Sequence, residues 1–258
     1  MNEELRITLC QSDIAWNSPD ENMARYESYI RQAAGKSDLF LLPEMCLTGF
    51  VTDGTLTGEA TGSPRLQTFA SWARQHDMGI IAGVAVREKS LLYNRMHYFS
   101  PSGSTFHYDK RHLFRMGDEN GYFSPGKKKT VFHCKGWKLF PQICYDLRFP
   151  EGCRNSYHNG TFLYDCLIVI ANWPHSRQQV LRTLAQARAI ENEAYLLLVN
   201  RTGTDNNGIR HSGGSMIIDF KGNIIKELPE GEEGSLSTTL SLSALNEFRE
   251  KFPSHLDW

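Results

Sequence analysis

The chain has 258 residues, is 40% hydrophobic and carries a formal net charge of -1. That length is enough for one large core, and that charge balance excludes a broad electrostatic surface for nucleic acid or acidic lipid. No uninterrupted apolar run approaches the roughly twenty residues of a bilayer span, and the acidic start before Leu5 lacks the basic region of a secretory signal, so a cytoplasmic protein off the membrane is expected.

In chain order, short β-rich runs alternate with helical patterns. Residues 5–10 predict a first strand, and the Ser18-Pro19 start signal predicts a helix over 22–34. The apolar run 38–43 predicts a strand that ends on Glu44. A helix over 64–76 leads to a strand over 79–86. Strands over 93–99 and 105–108, joined by Ser100-Pro101-Ser102-Gly103, form a hairpin that delivers Asp109 and Lys110. A strand over 137–144, a helix beginning near Glu151 and a strand over 166–172 make a β-α-β unit. The clearest helical pattern, 177–194, feeds a strand over 195–200. Runs 212–219 and 224–228 close as a hairpin around Lys221-Gly222-Asn223. No Pro/Ser-rich linker, low-complexity tract or long repeat interrupts this alternation, so 1–258 is expected to be a single α/β domain.

Three times an apolar strand stops and a reactive residue follows at once: Glu44, Cys144 and Asn172. In α/β sheets the carboxyl ends of strands hold ligands, because rigid strands fix side chains there. A free thiol is only a few per cent thiolate at neutral pH and needs a partner to act as a nucleophile. A carboxylate such as Glu44 takes the proton. An ammonium such as Lys110 steadies the anion and then, with the Tyr145 backbone N–H, the oxyanion of a tetrahedral intermediate. Each residue alone has a plainer reading: Cys144 as core packing, Glu44 as a solvated strand end, Lys110 as part of a surface charge run. The six cysteines form no C-x-x-C pair, which suits reduced thiols, and the nine histidines form no ligand cluster, so neither metal nor cofactor is expected. Gly121 to Lys128 nearly spells a phosphate loop, but Lys128 stands where Ser or Thr would hold magnesium, and Pro125 removes a donor.

Several motifs together are similar to those of the carbon–nitrogen hydrolase (nitrilase) superfamily. Leu42-Pro43-Glu44-Met45, Tyr108-Asp109-Lys110-Arg111-His112 and Ile143-Cys144-Tyr145-Asp146-Leu147-Arg148-Phe149-Pro150 resemble its three catalytic signatures. Ala171-Asn172-Trp173-Pro174, Ala187-Arg188-Ala189-Ile190-Glu191-Asn192 and Asn200-Arg201-Thr202-Gly203 resemble three more in the expected order. The resemblance implies a four-layer αββα sandwich, commonly a homodimer. It gives Glu44, Lys110 and Cys144 the triad roles and makes Glu119 a second, positioning glutamate. The aromatic tail, Phe248, Phe252 and Trp258, then packs on a partner or on its own domain.

Cys144-Tyr145-Asp146, with the run 110–119, looks most like the bacterial ω-amidases, which cleave the terminal amide of 2-oxo dicarboxylic acids. Glu151-Gly152-Cys153 and Leu181 depart from that branch at positions expected to line or support the pocket. Alternatives are a carbamoyl-amino-acid hydrolase, which Pro150-Glu151 resembles, a deaminated-glutathione type, or a non-catalytic binding subunit on the same scaffold. The partner implied is a small amide. A carboxylate on it needs a cation, for which Arg115 and Arg148 are the candidates, and Trp173 is a candidate pocket wall.

Overall fold

The computed structural model of the chain describes residues 3–258. Its principal strands are β1 (Glu4–Gln11), β2 (Leu39–Leu41), β3 (Gly79–Glu88), β4 (Leu91–Phe99), β5 (Thr105–Asp109) and β6 (Phe132–Cys134). They continue with β7 (Trp137–Ile143), β8 (Cys166–Ala171), β9 (Tyr195–Asn200), β10 (Met216–Ile218), β11 (Ile224–Glu227) and β12 (Gly234–Ser241). The principal helices are α1 (Pro19–Ala33), α2 (Pro64–Gln75), α3 (Gln178–Glu191) and α4 (Leu242–Lys251). One sheet runs β12-β1-β2-β3-β4-β5 and the other β11-β10-β9-β8-β7-β6. Each has three parallel central strands, β1-β2-β3 in the first and β7-β8-β9 in the second, flanked by antiparallel neighbours.

The period-two alternation of a strand decides which layer each side chain joins. Leu5, Ile7, Leu9, Leu39, Leu41 and Ile81 join the core cluster that also holds Ile143, Ile168 and Ile170 of the second sheet. Phe40, Leu42, Ile80 and Ala82 turn to the opposite face and pack with Met23, Tyr26 and Ile30 of α1 and with Leu66 and Phe69 of α2. On the second sheet α3 contributes Leu181, Ala185 and Ala189, and α4 contributes Leu245. The layers are helix, sheet, sheet, helix, the αββα sandwich that the motifs implied.

Two predicted features change. The helix expected from Glu151 is a single turn, Pro150–Cys153, behind a 3-10 turn, Cys144–Arg148. Gly152 and the extended Arg154 stop it, so the crossover to β8 is mostly loop plus a small hairpin, Tyr157–His158 with Thr161–Phe162. At the other end, β12 and α4 follow the predicted closing hairpin. β12 pairs antiparallel with β1 from Glu4↔Ser241 to Gln11↔Gly234 although its sequence, GSLSTTLS, carries little apolar signal. Ser241 then caps α4, its hydroxyl accepting the Ala244 N–H at 3.2 Å. Of the tail aromatics, Phe248 packs against Phe220 with centroids 4.8 Å apart, whereas Phe252 is 60% exposed. Among the described residues no helix is long and apolar enough to cross a membrane.

Candidate active site

Cys144 is the first residue after β7 and has φ +47°, the left-handed region that a side chain enters only at a cost. Asp146 holds that turn in place. Its carboxylate accepts the Ile143 N–H at 3.1 Å, the Tyr108 hydroxyl at 2.8 Å and the His112 N–H at 2.9 Å, and it contacts His112 Nδ1 at 2.7 Å. One buried carboxylate therefore ties the cysteine turn to the segment that carries Lys110. Tyr145 follows in the first turn of the 3-10 helix, where the helix itself supplies no acceptor for its N–H.

Glu44 and Lys110 meet across 66 residues of sequence. Lys110 Nζ donates to Glu44 Oε1 at 2.8 Å and lies 2.9 Å from Glu119 Oε2; all three side chains are buried. Asn94 of β4 completes the cluster, its amide donating to Glu44 Oε1 at 2.7 Å and to Glu119 Oε1 at 2.8 Å. Glu119 is fixed further by the Phe114 N–H at 2.6 Å. The Asn172 N–H, at the end of β8, donates to Glu44 Oε2 at 2.7 Å. Gly83 of β3 makes room for this: a Cβ there would lie 2.7 Å from Glu44 Cα and 2.9 Å from Pro43 O.

The charges are unequal in their effects. Burial pushes the Cys144 thiol well up and the nearby Glu44 charge adds to this, outweighing the Lys110 ammonium. The resting thiol is therefore protonated, and the carboxylate that helps keep it so is the group that would take its proton. Burial would pull Lys110 down, but Glu119 and Glu44 together raise it above the ordinary lysine range, so it stays an ammonium. Burial raises Glu119 as well, Lys110 opposing and Glu44 adding to the rise.

Cys144, 9% exposed, opens with Lys110 onto a cavity of about 210 Å³. Tyr145, Arg148, Asn172 and Trp173 also line it, and the Arg148 guanidinium lies over the Trp173 ring, 5.2 Å from its centroid. Arg115 does not line it. The 3-10 turn Arg115–Gly117 presents Met116 and Gly117 to the cavity and leaves Arg115 on a separate surface groove with His112 and Phe149, which corrects its assignment as the substrate cation. The residues that depart from the ω-amidase pattern do not line it either: Leu181 is buried in the core under α3, and Glu151, Gly152 and Cys153 sit behind the cysteine turn. Four contributors were not singled out from the sequence. Asn94 reads as an ordinary strand residue, and Arg177 at the end of a 3-10 turn, Asp205 in a loop and His211 in a short strand approach the cavity with no local signal.

Residues 6–250 match the carbon–nitrogen hydrolase family. The chain is 35% identical to the ω-amidase YafV of Escherichia coli over 98% of this chain and 96% of that protein. It is 33% identical to a 2-oxoglutaramate amidase of Bacillus subtilis, over 96% of this chain and 95% of that one. Among solved structures, a CN-hydrolase superfamily protein of Xanthomonas campestris, described with an arsenic adduct in its active site, superposes with a TM-score of 0.96 at 37% identity, covering 99% of this chain and 97% of that chain.

Proposed function

This chain belongs to the carbon–nitrogen hydrolase family, and from that premise we propose that it is an ω-amidase, hydrolysing the terminal amide of a 2-oxo dicarboxylic acid such as 2-oxoglutaramate to the acid and ammonia. The observation that carries the reading is the placement of a protonated thiol on the wall of the same cavity as the Lys110 ammonium, which is itself hydrogen-bonded to Glu44. In this mechanism Cys144 Sγ attacks the amide carbon as its proton passes to Glu44. Lys110 and the Tyr145 N–H stabilise the oxyanion, a contribution of about 3–4 kcal/mol per donor. Collapse of the tetrahedral intermediate breaks the C–N bond; Glu44 returns the proton to nitrogen, and ammonia leaves. Glu44 then deprotonates water, which attacks the thioester carbon, and the carboxylic acid and thiol are released.

Glu119 acts as a positioning group: it holds Lys110 together with Glu44 and does not line the cavity. Arg148 binds the substrate carboxylate, with Trp173 as the wall beneath it. The whole chain is one catalytic domain, and the exposed Phe252, Leu256 and Trp258 suit a homodimer contact. Six free thiols suit a reducing cytoplasm.

Ammonia release from a panel of 2-oxoglutaramate, N-carbamoyl amino acids and aliphatic nitriles tests the reading. The highest kcat/KM is expected for 2-oxoglutaramate, and none with Cys144→Ala protein. Preference for a carbamoyl amino acid would overturn the substrate, and inactivity on every amide would overturn the enzyme.

A further inference from the structure

The cavity carries more positive charge than the thiol chemistry uses. Lys110 is neutralised by two glutamates, but Arg148 and Arg177 also line the cavity, and neither forms a salt bridge among the described residues. Each guanidinium lies instead over an aromatic ring: Arg148 over Trp173, and Arg177 over Phe114 with 5.2 Å to the centroid. Asp205 is the single carboxylate among the lining residues, and its Oδ1 accepts the Asn207 N–H at 2.9 Å and the Ile209 N–H at 3.0 Å, shaping the loop. His211 beside it is buried, its Nδ1 has no partner, and burial, then the charges of Arg201 and Arg177 among others, push it down to about 4, so it is neutral. Two guanidinium groups, each held over an aromatic ring and without a salt-bridge partner, are a receptor for a planar anion.

We infer that Arg177 is a specificity-determining residue that, together with Arg148, binds the 2-oxo acid end of the substrate and selects it over the corresponding 2-amino acid. The inference rests on reading this cavity as the amide site. A carboxylate with an adjacent keto oxygen offers acceptors to both guanidinium groups. An α-ammonium in place of the keto group offers donors and a like charge to the same groups, and is rejected. The two arginines thus act on the carbon skeleton remote from the amide, and leave the chemistry at Cys144 unchanged.

The test uses Arg177→Met, an uncharged side chain of similar length, and Arg177→Lys, which keeps the charge. The Trp173 indole N–H donates to the Arg177 backbone carbonyl, so neither change removes that bond. With Arg177→Met, KM for 2-oxoglutaramate should rise on the order of ten- to a hundred-fold, KM for the neutral butanamide should hold, and the preference for 2-oxoglutaramate over glutamine should shrink. Arg177→Lys should recover part of the loss. A second arm, independent of turnover, titrates 2-oxoglutarate into Cys144→Ala protein with and without Arg177→Met, matched for thermal melting; the double variant should bind more weakly by the same factor. Equal effects on 2-oxoglutaramate and butanamide, or unchanged 2-oxoglutarate binding, would overturn the inference. If wild-type protein hydrolyses no 2-oxo amide, the proposed activity fails, while the titration still decides whether Arg177 holds a 2-oxo acid.

Discussion

Asn172 grips Glu44 at both main chain and side chain: its N–H donates to Glu44 Oε2 at 2.7 Å, and its side-chain amide donates to the Glu44 carbonyl. The carboxyl end of β8 in one sheet thereby fixes the proposed base supplied by the other sheet. Asn172→Ala keeps the first bond and loses the second, leaving a buried carbonyl unpaired at a cost of about 1–3 kcal/mol. We expect a lower melting temperature and a fall in kcat on the order of ten-fold or more, read by thermal melts and ammonia release. Unchanged kcat would show that this grip does not position Glu44.

Glu119→Gln removes one of two negative charges beside Lys110. Because the Glu119 charge helps hold the ammonium up, Lys110 becomes easier to deprotonate in the variant. The alkaline limb of the kcat/KM profile should move to lower pH, with a folded protein by circular dichroism. An alkaline limb at the wild-type position would remove Glu119 from the support of Lys110.

Gly83→Ala puts a Cβ 2.7 Å from Glu44 Cα and 2.5 Å from Ile170 Cδ1. The chain at Glu44 must shift, at a cost of about 1–3 kcal/mol. Activity should fall more than stability does, since the displaced group is the proposed base. A stability loss with unaltered kcat would mean the shift is absorbed by Ile170 alone.

Acid stability follows from two buried histidines. Burial, with Arg95 and His107 adding, pushes His97 down from 6.5 to about 3, and His211 is pushed down to about 4. Their folded pKa values lie below the unfolded ones, so the unfolded chain takes up protons that the folded chain refuses. Stability is complete above about pH 6.5 and falls as pH drops through 6.5 towards 3. Both ring nitrogens of His97 also lack partners. His97→Leu should flatten the fall seen in urea unfolding between pH 6.5 and 4; an identical slope would contradict this.

Much of the fold was legible because its cause is local. Alternating strands such as Leu5 to Cys10 show their buried faces in the spacing of apolar residues, and the residues just past strand ends, Lys110, Cys144 and Asn172, mark the site. β12 was not legible: its Ser/Thr-rich sequence is a strand because β1 supplies a full-length partner. Arg115 and Arg177 show the same limit in the site. Both follow short loop segments, and only the local path of each 3-10 turn decides which of them reaches the cavity. Asn94 is silent for a related reason, since a polar residue in a strand gains meaning only from the two carboxylates folded against it.

The central claim is that Cys144 carries the acyl group between loss of ammonia and attack of water. Acid quenching of wild-type protein with 2-oxoglutaramate, within one turnover, followed by peptide mass spectrometry, tests it directly. The account predicts an adduct of the substrate's mass less ammonia on the peptide holding Cys144. Ammonia release with that peptide unmodified at every quench time, or the acyl group on any other residue, would contradict it.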